Sequence, residues 1–312
     1  MPTRFYLSAA LTLLTACAAD AAPGRTPGSP VFDGQAAYGL VETQVEFGPR
    51  VPGTAGHERQ LDWMLARLDS LAPDLAADTF PYVTTYGDSL TLVNVLARYR
   101  PELERRVLVL AHWDTRPTSD EAGDAASQAL PLPGANDGAS GTAILLELAR
   151  LMASEPPPMG VDLLFVDGED YGPTPDDMFL GAERYAERLP LAGEGIRPIY
   201  GVLLDMVGDS DPSFPIEGNS AQFARVVVQK VWRAAARLGY EDVFPESVGI
   251  PLGDDHIPLI EAGLLTANVI DFTYGGPLNP YWHTPQDIPS NVSASTLAIV
   301  GEVMIELIYS GG

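Results

Sequence analysis

The chain has 312 residues, 46% of them hydrophobic, enough for one large globular domain with a real core, and it is neither repetitive nor poor in apolar residues. Its 42 acidic residues outweigh 18 basic ones for a formal charge of -24, and arginine supplies every base except Lys230. A surface like this lacks the basic stripe that phosphate binding needs, which excludes nucleic acid as a partner, and the acid excess reads as a solubility trait rather than a site.

In chain order, MPTRFYLSAALTLLTAC opens with a positive charge at Arg4, an apolar run from Phe5 to Leu14 too short to span a bilayer, and then small residues. That is the layout of an export signal. Its LTAC ending resembles a bacterial lipobox, in which cleavage precedes a lipidated cysteine, and Cys17 is the chain's single cysteine. Residues 1–17 are therefore expected to be a lipoprotein-type signal peptide, with an ordinary cleaved signal as the alternative. No disulfide can form within the mature chain. The Ala-, Pro- and Gly-rich residues 18–35 read as a flexible tether, and Ala18 points to outer-membrane sorting, with the exported protein lipid-anchored and facing the periplasm. A single catalytic domain is expected over 36–312.

Within it, Thr54 is placed to cap a helix carrying Leu61, Met64, Leu65, Leu68 and Leu71 at i, i+3, i+4, i+7 and i+10. Strand-like and helix-like runs then alternate. TLVNVLARYR and RRVLVLAHWD read as strands, GTAILLELARLMAS as a helix, VDLLFVDG as a strand and MFLGAERYAERL as a helix. YGVLLDMVG is a strand, SAQFARVVVQKVWRAAARLG one long helix, LLTANVIDF a strand and STLAIVGEVMIELIY the closing helix. The alternation predicts an α/β fold, a three-layer sandwich whose largely parallel, mixed central sheet is flanked by helices. VLVLA and DLLFV, apolar throughout, suit central strands covered on both faces.

The polar residues of interest follow those strands. His112 and Asp114 come after VLVLA, Glu169 and Asp170 after LLFV, and Asp205 after GVLL, each at the strand end where ligands bind in open α/β sheets. Asp137, in PGANDGASGT, precedes a helix, whose free amides and dipole tolerate an anion. His112, His256 and His283 lie in acidic or aromatic contexts, whereas His57 on the early helix reads as structural. Singly, each has an ordinary explanation: Asn136-Asp137-Gly138 a turn, Asp205 a strand end, Asp254 or Asp255 a cap for HIPLIEAG, Trp282 core, Asp114 a support for His112. Together they gather acids and imidazoles at one sheet end with Arg116 the only base nearby in sequence. Close carboxylates raise one another's pKa unless positive charge sits among them. A divalent cation supplies it, and imidazole mixed with carboxylate, without thiolate, fits zinc; three protein ligands and an open position mark a catalytic site. Spacing alone does not select the ligands.

The motifs AHWDTRP, GANDGASGTAILLELA, FVDGEDYG, LLDMVG, DDHIP and YWHT, in that order, resemble the zinc-dependent family that contains aminopeptidases and the animal-type glutaminyl-peptide cyclotransferases. The resemblance runs from GPRVPGTAGH to the closing helix. It implies Asp137, Asp170 and His283 as zinc ligands and Glu169 as general acid/base. It also implies that His112 and Asp205 are the positions completing a two-metal site in the aminopeptidases. Asp170 stands where the family usually has Glu, one methylene longer, and Met178 and Phe179 stand where cyclotransferase-like sequences carry an aromatic or Cys. DDHIP followed by W-H-T resembles the cyclotransferases specifically, which implies that Asp254 shares protons with Glu169 and Asp205. The expected activity is cyclisation of the N-terminal glutamine of peptides or proteins to pyroglutamate, releasing ammonia, with one zinc. The alternative is a two-zinc aminopeptidase; a non-catalytic binding module is disfavoured because Glu169 and every ligand position carry competent residues. Trp282, beside His283, is expected to wall the substrate pocket against water, with Phe272 and Tyr274 as further candidates for which core packing is equally open.

Overall fold

The computed structural model describes residues 24–191 and 193–312; the expected signal peptide and Cys17 lie outside the described residues. The helices are α1 (Gly34–Glu46), α2 (Ala55–Asp69), α3 (Ala125–Gln128), α4 (Ala139–Ser154), α5 (Leu180–Glu187), α6 (Gly218–Phe223), α7 (Arg225–Leu238), α8 (His256–Glu261) and α9 (Ala294–Tyr309). The strands are β1 (Asp74–Val83), β2 (Ser89–Tyr99), β3 (Arg106–His112), β4 (Gly160–Val166), β5 (Gly201–Asp205) and β6 (Thr266–Ile270), ordered β1-β2-β4-β3-β5-β6 in one sheet. Strands β4, β3, β5 and β6 run parallel, and β2 and β1 join antiparallel at one side.

The two all-apolar runs, β3 and β4, are fully buried because both faces of the sheet are covered. Successive side chains of a strand point to opposite faces. Val107, Val109 and Ala111 accordingly join the large core under α1, α4, α7 and α9, while Leu108 and Leu110 pack on the other side with Leu164, Leu203 and Leu259 of α8. The arrangement is the expected α/β three-layer sandwich.

Several details differ from the sequence reading, helix α1 among them. Packing begins upstream of the boundary drawn at residue 36: Arg25 Nη2 bonds Glu302 Oε1 at 2.7 Å, the Thr26 amide donates to Glu306 at 2.7 Å, and Phe32 is buried against Gly301. Alanine and glycine content suggested a tether, but those contacts come from the few polar and aromatic residues within it. The long helix is two helices, α6 and α7, separated at Ala224 (φ -121°, ψ 28°), with Glu217 capping α6 through the amides of Asn219 and Ser220. β1 is an additional strand on the sheet edge, half exposed and interrupted by Pro81, which an edge position tolerates. Thr54 caps α2 as expected, with Met64 and Leu68 buried and Leu61, Leu65 and Leu71 only partly covered.

Helix α4 lies close on the sheet because Gly141 has no side chain: a Cβ there would collide with the Leu204 carbonyl oxygen and approach Ala111 Cβ to 2.9 Å. Gly141→Ala gains helix propensity yet overpacks this contact, so it is expected to lower the unfolding free energy by about 1–3 kcal/mol. Urea unfolding followed by circular dichroism measures it, and a stabilised variant would contradict this packing.

Candidate active site

The strand ends deliver their acids to different partners. After β4 the chain turns through Gly168 (φ +72°), and Asp167 points back under the sheet edge. There it accepts from His57 Nε2 at 3.0 Å and from the Val93 amide at 2.7 Å, while the His57 ring stacks on Trp113 at 4.2 Å. His57 is therefore the structural histidine expected, and Asp167 is separated from Glu169 and Asp170. Those two residues are held by Asp114, whose Oδ1 and Oδ2 accept from the Glu169 and Asp170 amides at 3.1 and 3.2 Å. Asp114 also stands 3.6 Å from His112 Nδ1, so it faces that imidazole as the sequence suggested while its hydrogen bonds go to the two amides.

Asp137 sits in the turn before α4, where Gly138 adopts φ +89°. Asp287 fixes that turn by accepting from the Asn136 and Asp137 amides at 2.7 and 3.2 Å, and Tyr274 donates its hydroxyl to the same carboxylate at 2.9 Å. Nothing in the sequence marks this role beyond the position of Asp287, four residues after His283.

Asp137, Asp170 and His283 converge, each offering a buried donor atom within 4.8 Å of the others. His283 Nε2 lies 3.6 Å from Asp137 Oδ2 and 3.6 Å from Asp170 Oδ1, and Asp170 Oδ2 is buried with no hydrogen-bond partner. Two carboxylates and an imidazole with an orphaned oxygen fit a divalent cation of the zinc type. A second group, His112, Asp137 and Glu169, shares Asp137 with the first. Asp205 is engaged differently: its Oδ1 is 3.2 Å from His112 Nε2, which is also 3.1 Å from Asp137 Oδ1.

The electrostatics show what such a cluster demands. Burial pushes the Asp170 carboxyl up to about 7; the His283 charge opposes this and the Asp137 charge adds to it. Glu169 is raised well above the ordinary range by burial, with His112 opposing and Asp170 and Asp254 reinforcing. Asp254 is raised by burial and then by the charges of Asp205 and Asp255. Burial and mutual repulsion thus bias these groups toward their neutral forms, a bias that added positive charge relieves.

Asp254 is buried in this group rather than capping α8. Its Oδ2 accepts from Asn268 Nδ2 at 2.6 Å and its Oδ1 from the Asp255 amide at 2.6 Å. Asp255 precedes α8 but makes no side-chain cap bond either, and both its oxygens are buried without a partner.

Trp282 stacks on His283 at 4.0 Å and meets Phe272 edge-on at 4.9 Å, in an apolar cluster with Met206, Leu252 and Ile270. Both rings are partly exposed, as a pocket wall requires. Tyr274 is not: it is wholly buried, and its hydroxyl is spent on Asp287, so it belongs to the core. Phe179 replaces it at the rim. Held at φ +61° with its amide donating to the Glu169 carbonyl at 2.9 Å, it packs against Gly253, where an added Cβ would be 3.6 Å from the ring. Arg116 and Asp120 also join the site, touching Asp170 and His283 respectively; a single arginine in a loop offered little sequence signal for this.

Comparison with known proteins agrees with the geometry. A glutaminyl cyclase of Bacteroides thetaiotaomicron, solved bound to N-acetylhistamine, superposes with a TM-score of 0.85 at 35% identity, covering 91% of this chain and 100% of that one. A Zn-dependent exopeptidase from Parabacteroides distasonis gives the same TM-score of 0.85 at 35% identity over 90% of this chain and 99% of that one. Aminopeptidase YwaD of Bacillus subtilis is 30% identical over 209 residues, 65% of this chain, although the match spans only 40% of that protein. The model of peptidase family M28 matches residues 94–308, from within β2 to within α9, and the chain belongs to that family.

Proposed function

We propose that the protein is a zinc-dependent glutaminyl-peptide cyclotransferase acting on peptides or proteins with N-terminal glutamine. The observation that carries this reading is Asp254, buried close enough to Glu169 and Asp205 for their charges to raise one another's affinity for protons, rather than spent as a surface helix cap. In the reaction the substrate's α-amine attacks its own γ-carbonyl carbon, a C–N bond closes the ring, the bond to the amide nitrogen breaks, and ammonia leaves. The amine must lose one proton and the leaving group must gain one. Glu169, buried and with its affinity for protons raised, suits both transfers, and Asp254 with Asp205 stands behind it. Asp137, Asp170 and His283 would hold the zinc, whose Lewis acidity polarises the carbonyl and stabilises the oxyanion. Because the nucleophile is the substrate's own amine, water must be kept from the carbonyl. Trp282 and Phe272 form an apolar wall beside His283 for that purpose.

A second reading, a two-metal aminopeptidase, is favoured by the additional donor group of His112, Asp137 and Glu169 and by the peptidase relatives. His112 Nε2 lies 3.2 Å from Asp205 Oδ1, so the two positions that this reading adds stand together. Export and a lipid anchor through Cys17, at the outer membrane, are part of our reading and rest on the N-terminal sequence alone.

Glu169→Gln is expected to lower the rate of ammonia release from Gln-peptides by roughly 10²–10⁴-fold while zinc content and the circular dichroism spectrum stay as in the parent protein. Loss of zinc from this variant would instead make Glu169 a ligand. Asp254→Ala should cut cyclisation sharply with one zinc per chain retained. Leucine release by the parent protein with two zinc ions per chain would favour the peptidase reading.

Removing the metal should also change how stability depends on pH. A carboxyl whose folded-state pKa is raised, as for Asp170 from 3.8 to about 7, contributes stability below the unfolded value that is lost as pH rises through the folded one. Glu169 and Asp254 act in the same direction. The chelated protein is thus expected to melt at a lower temperature at pH 8 than at pH 5, and added zinc to remove most of that difference. Thermal melts with and without chelator decide it, and a chelated protein equally stable at both would refute the charge crowding inferred for this centre.

A further inference from the structure

We propose that Arg116 and Asp120 are a positioning pair that locks two ligands of the metal centre, Asp170 and His283, into one arrangement and thereby sets how tightly the centre holds zinc. The proposal rests on the reading of Asp137, Asp170 and His283 as zinc ligands, and it is independent of whether the enzyme cyclises or hydrolyses.

The geometry is a closed chain of contacts. Arg116 Nη1 donates to Asp170 Oδ1 at 2.6 Å, while Nε and Nη2 donate to Asp120 Oδ1 and Oδ2 at 3.0 and 2.8 Å. Asp120 Oδ1 in turn lies 3.1 Å from His283 Nδ1. One guanidinium fork therefore reaches both a ligand and the carboxylate that orients the other ligand. Lysine, a point charge, could not make this planar arrangement. The Asp120 contact keeps the proton on Nδ1, which leaves the Nε2 lone pair directed to the side where Asp137 and Asp170 lie.

Two further features are fitted to the pair. Gly172 lies against the guanidinium: an added Cβ would stand 3.0 Å from Nη1 and Nη2 and 3.1 Å from Cζ. His283 itself adopts φ +51°, a left-handed conformation that is costly for a residue with a side chain. The Glu121 amide donates to its carbonyl at 3.2 Å, so the 116–121 segment grips His283 by backbone as well as side chain. With Nη1 on Oδ1 the Asp170 carboxylate plane is fixed, and its other oxygen, Oδ2, is buried and unpartnered.

The test measures zinc affinity by competition with a chromogenic chelator, in the absence of substrate, for the parent protein and for Asp120→Ala, Asp120→Asn and Arg116→Lys. Arg98→Ala, which breaks the Arg98–Asp74 pair on the far part of the sheet, serves as the control for loss of an ion pair alone. Asp120→Ala and Arg116→Lys are expected to weaken zinc binding about 10–100-fold, the usual effect of removing an outer partner of a ligand. Asp120→Asn keeps an oxygen for His283 Nδ1 and is expected to recover part of the loss. It also serves if the alanine variant folds poorly. The cobalt(II)-loaded protein should show a changed visible absorption spectrum in Arg116→Lys and an unchanged one in Arg98→Ala. Affinity equal to the parent's in all three site variants overturns the proposal while leaving the zinc centre intact. A parent protein that binds no zinc overturns the proposal and the reading of the centre together.

Discussion

Carboxylates kept out of water must each find a proton, a hydrogen-bond donor or a positive charge, and the loops at the strand ends are built around that demand. Asp114 takes two backbone amides, Asp287 two amides and a phenol, Asp167 an imidazole and an amide, and Asp254 an amide and the Asn268 side chain. Each of these bonds also fixes a turn, so the shape of the site follows from the way charge is accommodated. Asp137 and Asp170 are not closed off by such pairings: Asp170 keeps one oxygen without a partner even with Arg116 on the other. Both sit within reach of imidazoles, and the space between them is where a cation completes the account.

The same logic places His112. Its Nε2 stands 3.1 Å from Asp137 and 3.2 Å from Asp205, so one imidazole serves two carboxylates that burial would otherwise disfavour as anions.

Much of this was legible from sequence, for physical reasons that also explain the gaps. VLVLA and DLLFV announced central strands because burial on both faces leaves no room for polar alternation, and the acids after them marked the ligand-binding edge of the sheet. β1 was hidden because an edge strand with one wet face, DLAADTFPYV, carries little apolar pattern. α1 shows buried Ala37, Leu40, Val41 and Gln44 at helical spacing, but it follows directly on an Ala- and Pro-rich stretch that masks its start. The break at Ala224 has no local breaker residue to mark it in the sequence. Within the site, ligand types could be read but partners could not. Asp114 bonds backbone amides as well as facing His112, Tyr274 turned inward to Asp287, and Arg116 and Asp120 found Asp170 and His283 only through folding.

The upstream segment packed on α9 has a bearing on how the enzyme is presented to its surroundings. Arg25 and Thr26 bind Glu302 and Glu306, and the turn after α9 meets Arg105 just before β3 begins. That is the pole where the parallel strands start, whereas Asp137, Asp170 and His283 lie where they finish. The described chain therefore enters the domain at the pole opposite the donor cluster. Under our proposal of an anchor through Cys17, that cluster would face away from the point of attachment.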